Sequence, residues 1–296
     1  MRYSSEEIVL KQIEKHLSEI YNENVRINSV STVGGGCINH AKKLDTSMGT
    51  YFIKWNSDCE KDMFIREAES LLALHKAASG SLLVPGVICA TEPGEVPAYL
   101  VLEYLSPNGV ANDEALGRGL AHIHKYSNEQ FGFYSDNYCG ATRQSNSWKL
   151  DWLEFYRVNR LGFLLHLIQQ NRPMGNKELA VFEKLLERLD VLIPNKEKAV
   201  LVHGDLWSGN YMNTAAGPAL IDPASSFSHR EMEFGIITMF GGFSERFFAA
   251  YNEVNPLDKA WRERNLLYQL YHVLNHFFLF GGGYLSQALA IAKRYL

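Results

Sequence analysis

His203-Gly204-Asp205-Leu206-Trp207-Ser208-Gly209-Asn210, with Asp222 behind the apolar run Ala219-Leu220-Ile221, is the stretch on which the reading of this chain turns. The run Ala199-Val200-Leu201-Val202 predicts a short buried strand leading into it. Tyr211-Met212-Asn213 and Pro218-Ala219-Leu220-Ile221 predict two strands about a turn at Thr214 to Gly217. A hairpin returns its ends to one another, so Asn210 and Asp222 are expected side by side. An amide oxygen and a carboxylate so placed suit a hard cation such as Mg²⁺, which keeps several waters and takes its other oxygens from phosphates.

Asp205 stands outside that pair, on the loop that would face an incoming hydroxyl. In phosphoryl transfer the protein mainly positions the reactants and neutralises charge, while one carboxylate orients the nucleophile and accepts its proton. Asp205 is the candidate base. Taken singly, Asp205, Gly209 and Asn210 are ordinary turn formers and Asp222 an ordinary surface acid. The combination, with strands interposed, is what points to chemistry.

A nucleotide cradle is expected further toward the amino terminus. Val30 to Asn39 reads as strand, triple glycine and strand, so the amides of Gly34, Gly35 and Gly36 can approach phosphates without a Cβ in the way; a plain hairpin turn explains a glycine run equally well. Thr50-Tyr51-Phe52-Ile53-Lys54-Trp55 predicts a strand carrying Lys54. A helix follows over about Lys61 to Ala78, with Ile65, Leu71, Leu72 and Leu74 as core candidates and Glu67 placed to pair with Lys54. Ala98 to Leu105 predicts a strand whose end, Glu103-Tyr104-Leu105, offers backbone groups to an adenine edge.

This order of parts resembles the protein-kinase-like fold, and within it the small-molecule branch of aminoglycoside and choline kinases, because His-Gly-Asp and Asp-Pro-Ala stand where protein kinases have His-Arg-Asp and Asp-Phe-Gly. Gly34-Gly35-Gly36-Cys37-Ile38-Asn39, Lys54-Trp55-Asn56, the motif His203 to Asn210 with Leu206-Trp207-Ser208 inside it, Asp222-Pro223-Ala224 and Met239-Phe240-Gly241-Gly242-Phe243 narrow the resemblance to the fructosamine kinase, or ketosamine 3-kinase, family, from about Ser29 onward. The resemblance implies an α+β, two-lobed fold with a β-rich nucleotide lobe over residues 1–105 and a mainly helical catalytic and substrate lobe over 106–296. It implies ATP and Mg²⁺, and phosphorylation of the 3-hydroxyl of ketosamines, free or on glycated proteins. The product decomposes and frees the amine, which amounts to deglycation. It also assigns the base to Asp205, the metal ligands to Asn210 and Asp222, the phosphate lysine to Lys54 and the adenine segment to Glu103-Tyr104-Leu105. An aminoglycoside- or choline-type kinase, or a nucleotide-binding regulatory pseudokinase, are the alternatives; the second is disfavoured because Lys54, Asp205, Asn210 and Asp222 are all present.

Composition agrees with an enzyme of two lobes. The 296 residues are 46% hydrophobic, enough for an ample core, and a net charge of −4 gives no electrostatic case for nucleic acid or an anionic membrane. No apolar run approaches a membrane span and the start lacks a signal-peptide core, so the expected setting is the reducing cytoplasm. The four cysteines, Cys37, Cys59, Cys89 and Cys139, form no Cys-x-x-Cys pair and argue against a structural zinc site or a disulfide framework. Cys37, at the edge of the glycine run, is a candidate redox-sensitive thiol, although a small half-buried strand residue fits equally well.

Ser4 and Glu7 predict a capped helix over Ser5 to Tyr21. Further helices are expected near Asn112 to His124, Trp148 to Asn171, Asn176 to Leu189, Arg230 to Phe240, Ser244 to Asn252, Asp258 to Phe280 and Tyr284 to Tyr295. Substrate contact is weighed evenly against a core role for Trp207, and Trp148, Asp151 and Trp152 are expected to start a helix after a loop that could overhang the cleft. His272 and His276 share a helix face without the acid of a His-Glu-x-x-His motif and read as core or pocket-wall histidines. The acids Glu231 and Glu233 are sufficiently explained by a helix amino terminus.

Overall fold

The computed structural model describes residues 4–33, 39–194 and 196–296. Gly34, Gly35 and Gly36, the expected phosphate cradle, and Cys37 lie outside the described residues.

The first helix, α1 (Ser5–Tyr21), starts where the sequence predicts. Ser4 accepts a hydrogen bond from the Glu7 amide at 3.2 Å and the Glu7 carboxylate accepts from the Ser4 amide at 2.8 Å, a reciprocal capping box. Val9, Ile13 and Leu17 fall on one face at helical spacing and are fully buried. They pack on a five-stranded antiparallel sheet of β1 (Ile27–Thr32), β2 (His40–Thr46), β3 (Gly49–Asn56), β4 (Val87–Ala90) and β5 (Ala98–Glu103), in the order β1-β2-β3-β5-β4.

Strand alternation then sorts the side chains. Tyr51, Ile53 and Trp55 of β3 and Tyr99 and Val101 of β5 face α1. Lys54, between Ile53 and Trp55, therefore faces the other way, as do Leu100 and Leu102, which join the larger core. That second face is covered by α2 (Met63–Ala78), inserted between β3 and β4. Leu71 and Leu74 are buried there with Phe64 and Ala68, but Ile65 is only half-buried and Leu72 is 58% exposed. Leu72 sits about 100° round the helix from Leu71, which turns it to solvent.

Beyond β5 the chain is mainly helical, and α3 (Asp113–Ile123), expected near Asn112 to His124, is capped by the Asn112 side chain. The helix expected from Trp148 begins at Trp152 instead. Lys149 and Phe131 exchange backbone hydrogen bonds at 2.8 Å, which holds that residue extended, and the Asp151 carboxylate caps the helix by accepting from the Glu154 amide at 2.7 Å. The helix then winds through a π segment, Phe155–Gly162, before Phe163–Asn171. Likewise the helix expected from Asp258 starts at Trp261, because Asp258 turns back to accept from the Ala260 amide at 2.9 Å.

Several short strands escaped the sequence reading. Ser226–Ser228 and Ser127–Asn128 flank Ala199–Val202 in a three-stranded sheet, and Asn137–Cys139 pairs with Thr142–Gln144. Runs of two or three residues are too short to display an alternation. No helix among the described residues is long and apolar enough to cross a membrane.

Candidate active site

A cavity of about 590 Å³ opens between the antiparallel sheet and the helical part. Its walls include Lys54, Glu67, Asp205, Asn210 and Asp222 together with Glu103, Tyr104, Leu105 and Trp207. Residues as far as 168 positions apart in sequence thus converge on one cleft.

Lys54 is set by register. It pairs with Ala41 on one side and Leu100 on the other, in the middle of the sheet. Its Nζ donates to both Glu67 carboxylate oxygens, at 2.9 and 3.0 Å, and to Asp222 Oδ1 at 2.8 Å. Burial works against the ammonium charge, but the carboxylates of Asp222 and Glu67 outweigh it and hold the lysine above its ordinary pKa. Glu67 is pushed the opposite way from a typical ion-paired acid: burial raises it, aided by Asp222, and Lys54 only partly offsets that. One cation shared by two carboxylates leaves the cluster able to accept further positive charge.

Asp205 follows the strand Ala199–Val202 through a tightly held turn. Gly204 has φ of +87°, and a Cβ there would lie 2.1 Å from the Ala224 carbonyl oxygen, so only glycine fits. The Ala224 amide donates to the His203 carbonyl at 2.9 Å, which ties the turn to the segment after Asp222. His203 is buried, with Nε2 2.8 Å from the Ile221 carbonyl oxygen. From behind, the buried Glu233 carboxylate accepts from the amides of His203 at 2.5 Å and Gly204 at 3.1 Å. Burial, then Asp222 and Glu233, push the Asp205 carboxyl up to about 8, against the pull of its bond from Asn210.

Asn210 and Asp222 are brought together as the hairpin reading requires. Tyr211–Thr214 pairs with Gly217–Leu220, and the Ile221 amide donates to the Asn210 carbonyl at 3.0 Å just outside the ladder. Asn210 turns its Nδ2 to the Asp205 carbonyl and Oδ2, at 2.8 and 3.1 Å, which among the described residues leaves Oδ1 as the atom to take a cation. Asp222 adopts a left-handed backbone, φ 56°, uncommon for a residue with a side chain. Backbone strain of this kind collects where a side chain must be aimed. An amide oxygen and a partly exposed carboxylate are both hard donors, so the pair fits Mg²⁺.

The expected adenine segment sits at the cleft, but not all of it is open. The Glu103 amide already donates to the Gly86 carbonyl at 2.8 Å, and its carboxylate accepts from the Gly86 amide, so only the groups beyond it remain for a base. Trp207 lines the cavity, 37% exposed, and tilts against Phe240 with ring centroids 5.9 Å apart. Neither Trp148 nor Trp152 is among the residues that line the cavity. Trp152 is fully buried and donates to the Tyr268 hydroxyl at 3.1 Å, while Trp148 packs on Phe227 and Tyr134.

Glu233 is the functional residue the sequence reading passed over. The available signal was an acid within Met232-Glu233-Phe234-Gly235-Ile236-Ile237, a stretch otherwise fit for a core. Helix-dipole logic suffices for Glu231, which sits 2.6 Å from Arg264, but not for an acid whose partners are the amides of the Asp205 loop.

A family model for fructosamine kinase matches residues 9–296. A chloroplastic protein-ribulosamine 3-kinase of Oryza sativa subsp. indica is 39% identical over 279 residues, covering 92% of this chain and 80% of that protein. The ketosamine-3-kinase of Mus musculus is 33% identical, over 88% of this chain and 92% of its own. Among solved structures, one from Haemophilus somnus named for fructosamine-3-kinase superposes with a TM-score of 0.85 at 25% identity, covering 97% and 99% of the two chains. The aminoglycoside phosphotransferase APH(4)-Ia, bound to AMP-PNP and hygromycin B, gives 0.63 at 15% identity over 95% and 98%, a likeness of fold that makes this architecture protein-kinase-like.

Proposed function

The chain belongs to the fructosamine kinase family, and on that premise we propose that the cleft between its β-rich and helical parts transfers the γ-phosphoryl group of ATP to the 3-hydroxyl of a ketosamine. Residues 1–105 form the nucleotide lobe and 106–296 the catalytic and acceptor lobe. Lys54, steadied by Glu67, holds the phosphates, and the segment Tyr104-Leu105 with the remaining backbone of Glu103 receives the adenine. The amides of Gly34, Gly35 and Gly36 are assigned to the phosphates by the sequence motif alone.

Asp205 orients the acceptor hydroxyl and takes its proton. Asn210 Oδ1 and the Asp222 carboxylate would hold Mg²⁺, which supplies charge neutralisation for the phosphates. Trp207, half-exposed at the cleft wall, is the candidate surface for the sugar or its amine substituent. The observation that carries this reading is the convergence of Lys54, Glu67, Asp205, Asn210 and Asp222 on one cavity from a strand, a helix, the loop that bears both Asp205 and Asn210, and the segment after the hairpin. Ketosamines, free or on glycated proteins, are the substrate class, and a panel of synthetic ketosamines against aminoglycosides and choline, read by ADP release, tests it. Asp205→Asn should bind ATP but lose on the order of 10²–10⁴ in turnover. Asp222→Ala should lose Mg²⁺-dependent nucleotide binding. Near-normal turnover in both variants rejects the assignment.

A further inference from the structure

Beside Asp205 the fold assembles a second donor set. Cys139 Sγ, an Asp205 carboxylate oxygen and a ring nitrogen of His272 all lie within 4.8 Å of one another. Cys139 closes the short strand Asn137–Cys139, and His272 stands in the middle of the helix Trp261–Phe280. Both are buried, 2% and 1% exposed, and His272 Nδ1 has no hydrogen-bond partner among the described residues. Buried polar atoms nearly always have partners, and each exception calls for a reason. Asn275, one turn further along the helix, donates to the Cys139 carbonyl at 3.3 Å and also buries an unpartnered Oδ1.

We propose that Cys139, Asp205 and His272 form a binding site for a borderline-soft divalent cation of the zinc type, and that its occupancy inhibits phosphoryl transfer. One thiolate, one imidazole nitrogen and one carboxylate oxygen make a mixed S, N, O set that zinc accepts with a fourth position left open. Two anionic ligands and one neutral ligand balance a charge of two. Magnesium, which demands oxygen ligands, has no use for the sulfur and is directed to Asn210 and Asp222 instead. Tetrahedral bonds of ~2.0–2.3 Å separate ligand atoms by roughly 3.3–3.8 Å, so a contraction of at most roughly 1–1.5 Å closes the trio. Burial and then the Asp205 carboxylate push the Cys139 thiol well above its ordinary pKa, Arg160 opposing them only in part, so the cation must displace the thiol proton as it binds. The ion enters from the cleft, whose wall contains Asp205, Tyr138 and Gly140 on either side of Cys139.

Inhibition follows because a cation held by the Asp205 carboxylate removes the group that accepts the hydroxyl proton. That half of the proposal rests on Asp205 being the base; the binding half does not.

The test uses the whole protein, nucleotide-free and in excess Mg²⁺. Zinc should bind at one equivalent by equilibrium dialysis, and Co²⁺ as a spectroscopic probe should show a thiolate-to-metal charge-transfer band. Cys139→Ser and His272→Gln should each weaken zinc binding at least tenfold and relieve zinc inhibition by the same factor, while ketosamine phosphorylation without zinc is retained. Absence of the cobalt–thiolate band in the unaltered protein overturns the site without any variant having to fold. Zinc inhibition undiminished in both variants overturns it too. Zinc bound through the thiolate with turnover intact overturns the inhibitory half and counts against Asp205 as the base.

Discussion

The Glu233 carboxylate, on the helix Glu231–Phe240, receives the backbone amide of His203 at 2.5 Å, thirty residues earlier in the chain. It takes the Gly204 amide as well, so the turn that presents Asp205 hangs from one buried acid. Burial alone would raise that acid, but its contacts with His124 and His203 leave it below the ordinary glutamate pKa and therefore charged. Glu233→Ala leaves two buried N–H groups unsatisfied and should cost about 2–4 kcal/mol of stability. A displacement of Asp205 by even 1 Å can cost roughly 10²-fold in rate. The expected pattern is therefore a large fall in kcat with KM for ATP little changed, measured by ADP release beside a urea unfolding curve. A loss confined to KM for ATP counts against a positioning role.

Lys54 balances two acids, and its removal should show that. In Lys54→Met the buried Glu67 loses its cation, and breaking such a pair costs about 3–5 kcal/mol. Glu67→Gln added to it removes the stranded charge and should recover at least half of that loss, while turnover stays absent in both. Calorimetric melting of the single and double variants decides it; a double variant no more stable than the single one shows that Glu67 does not depend on Lys54.

The local features were the legible ones. Ser4 and Glu7 cap a helix three residues apart, and the hairpin from Tyr211 to Leu220 carries Asn210 and Asp222 together because strand pairing is a short-range matter. Lys54 with Glu67 was legible for a similar reason, since a strand followed by a helix offers few ways to meet. What stayed hidden depends on distant partners. Nothing near Glu233 announces that its carboxylate will meet the amides of His203 and Gly204, and nothing near Cys139 announces His272. Trp148 was misplaced because its helical pattern is overruled by a backbone pairing with Phe131 at Lys149. Periodicity measures one segment at a time; these sites are built where segments cross.

Gly204 should tolerate no side chain. Gly204→Ala combines a φ of +87° with a Cβ placed 2.1 Å from the Ala224 carbonyl oxygen, so the turn must shift or the loop after Asp222 must move. Strain of this sort costs roughly 3 kcal/mol or more. Because His203 and Ala224 are joined by a backbone bond, either response displaces Asp205 relative to Asp222. Melting temperature and turnover should fall together, and an alanine variant with unchanged Tm contradicts this account of the turn.

His124 makes stability depend on acid. The imidazole is buried against two helices: Tyr251 gives a hydroxyl 2.8 Å from Nδ1, Phe234 presents a ring edge, and Glu233, on the same helix as Phe234, lies 3.7 Å from Nε2. Burial lowers its pKa below 6.5, Arg230 and His229 lower it further, and Glu233 only partly opposes them. The unfolded chain takes up this proton near pH 6.5 and the folded one does not. The group's contribution is therefore whole above pH ~6.5 and is lost as the pH falls, by up to about 1.4 kcal/mol per unit, until the folded pKa is reached. His124→Gln removes this titration. Between pH 7.5 and 5.5 the unaltered protein should lose more unfolding free energy in urea than the variant does, by about 1 kcal/mol. Parallel losses in the two proteins exclude His124 as a source of the acid sensitivity.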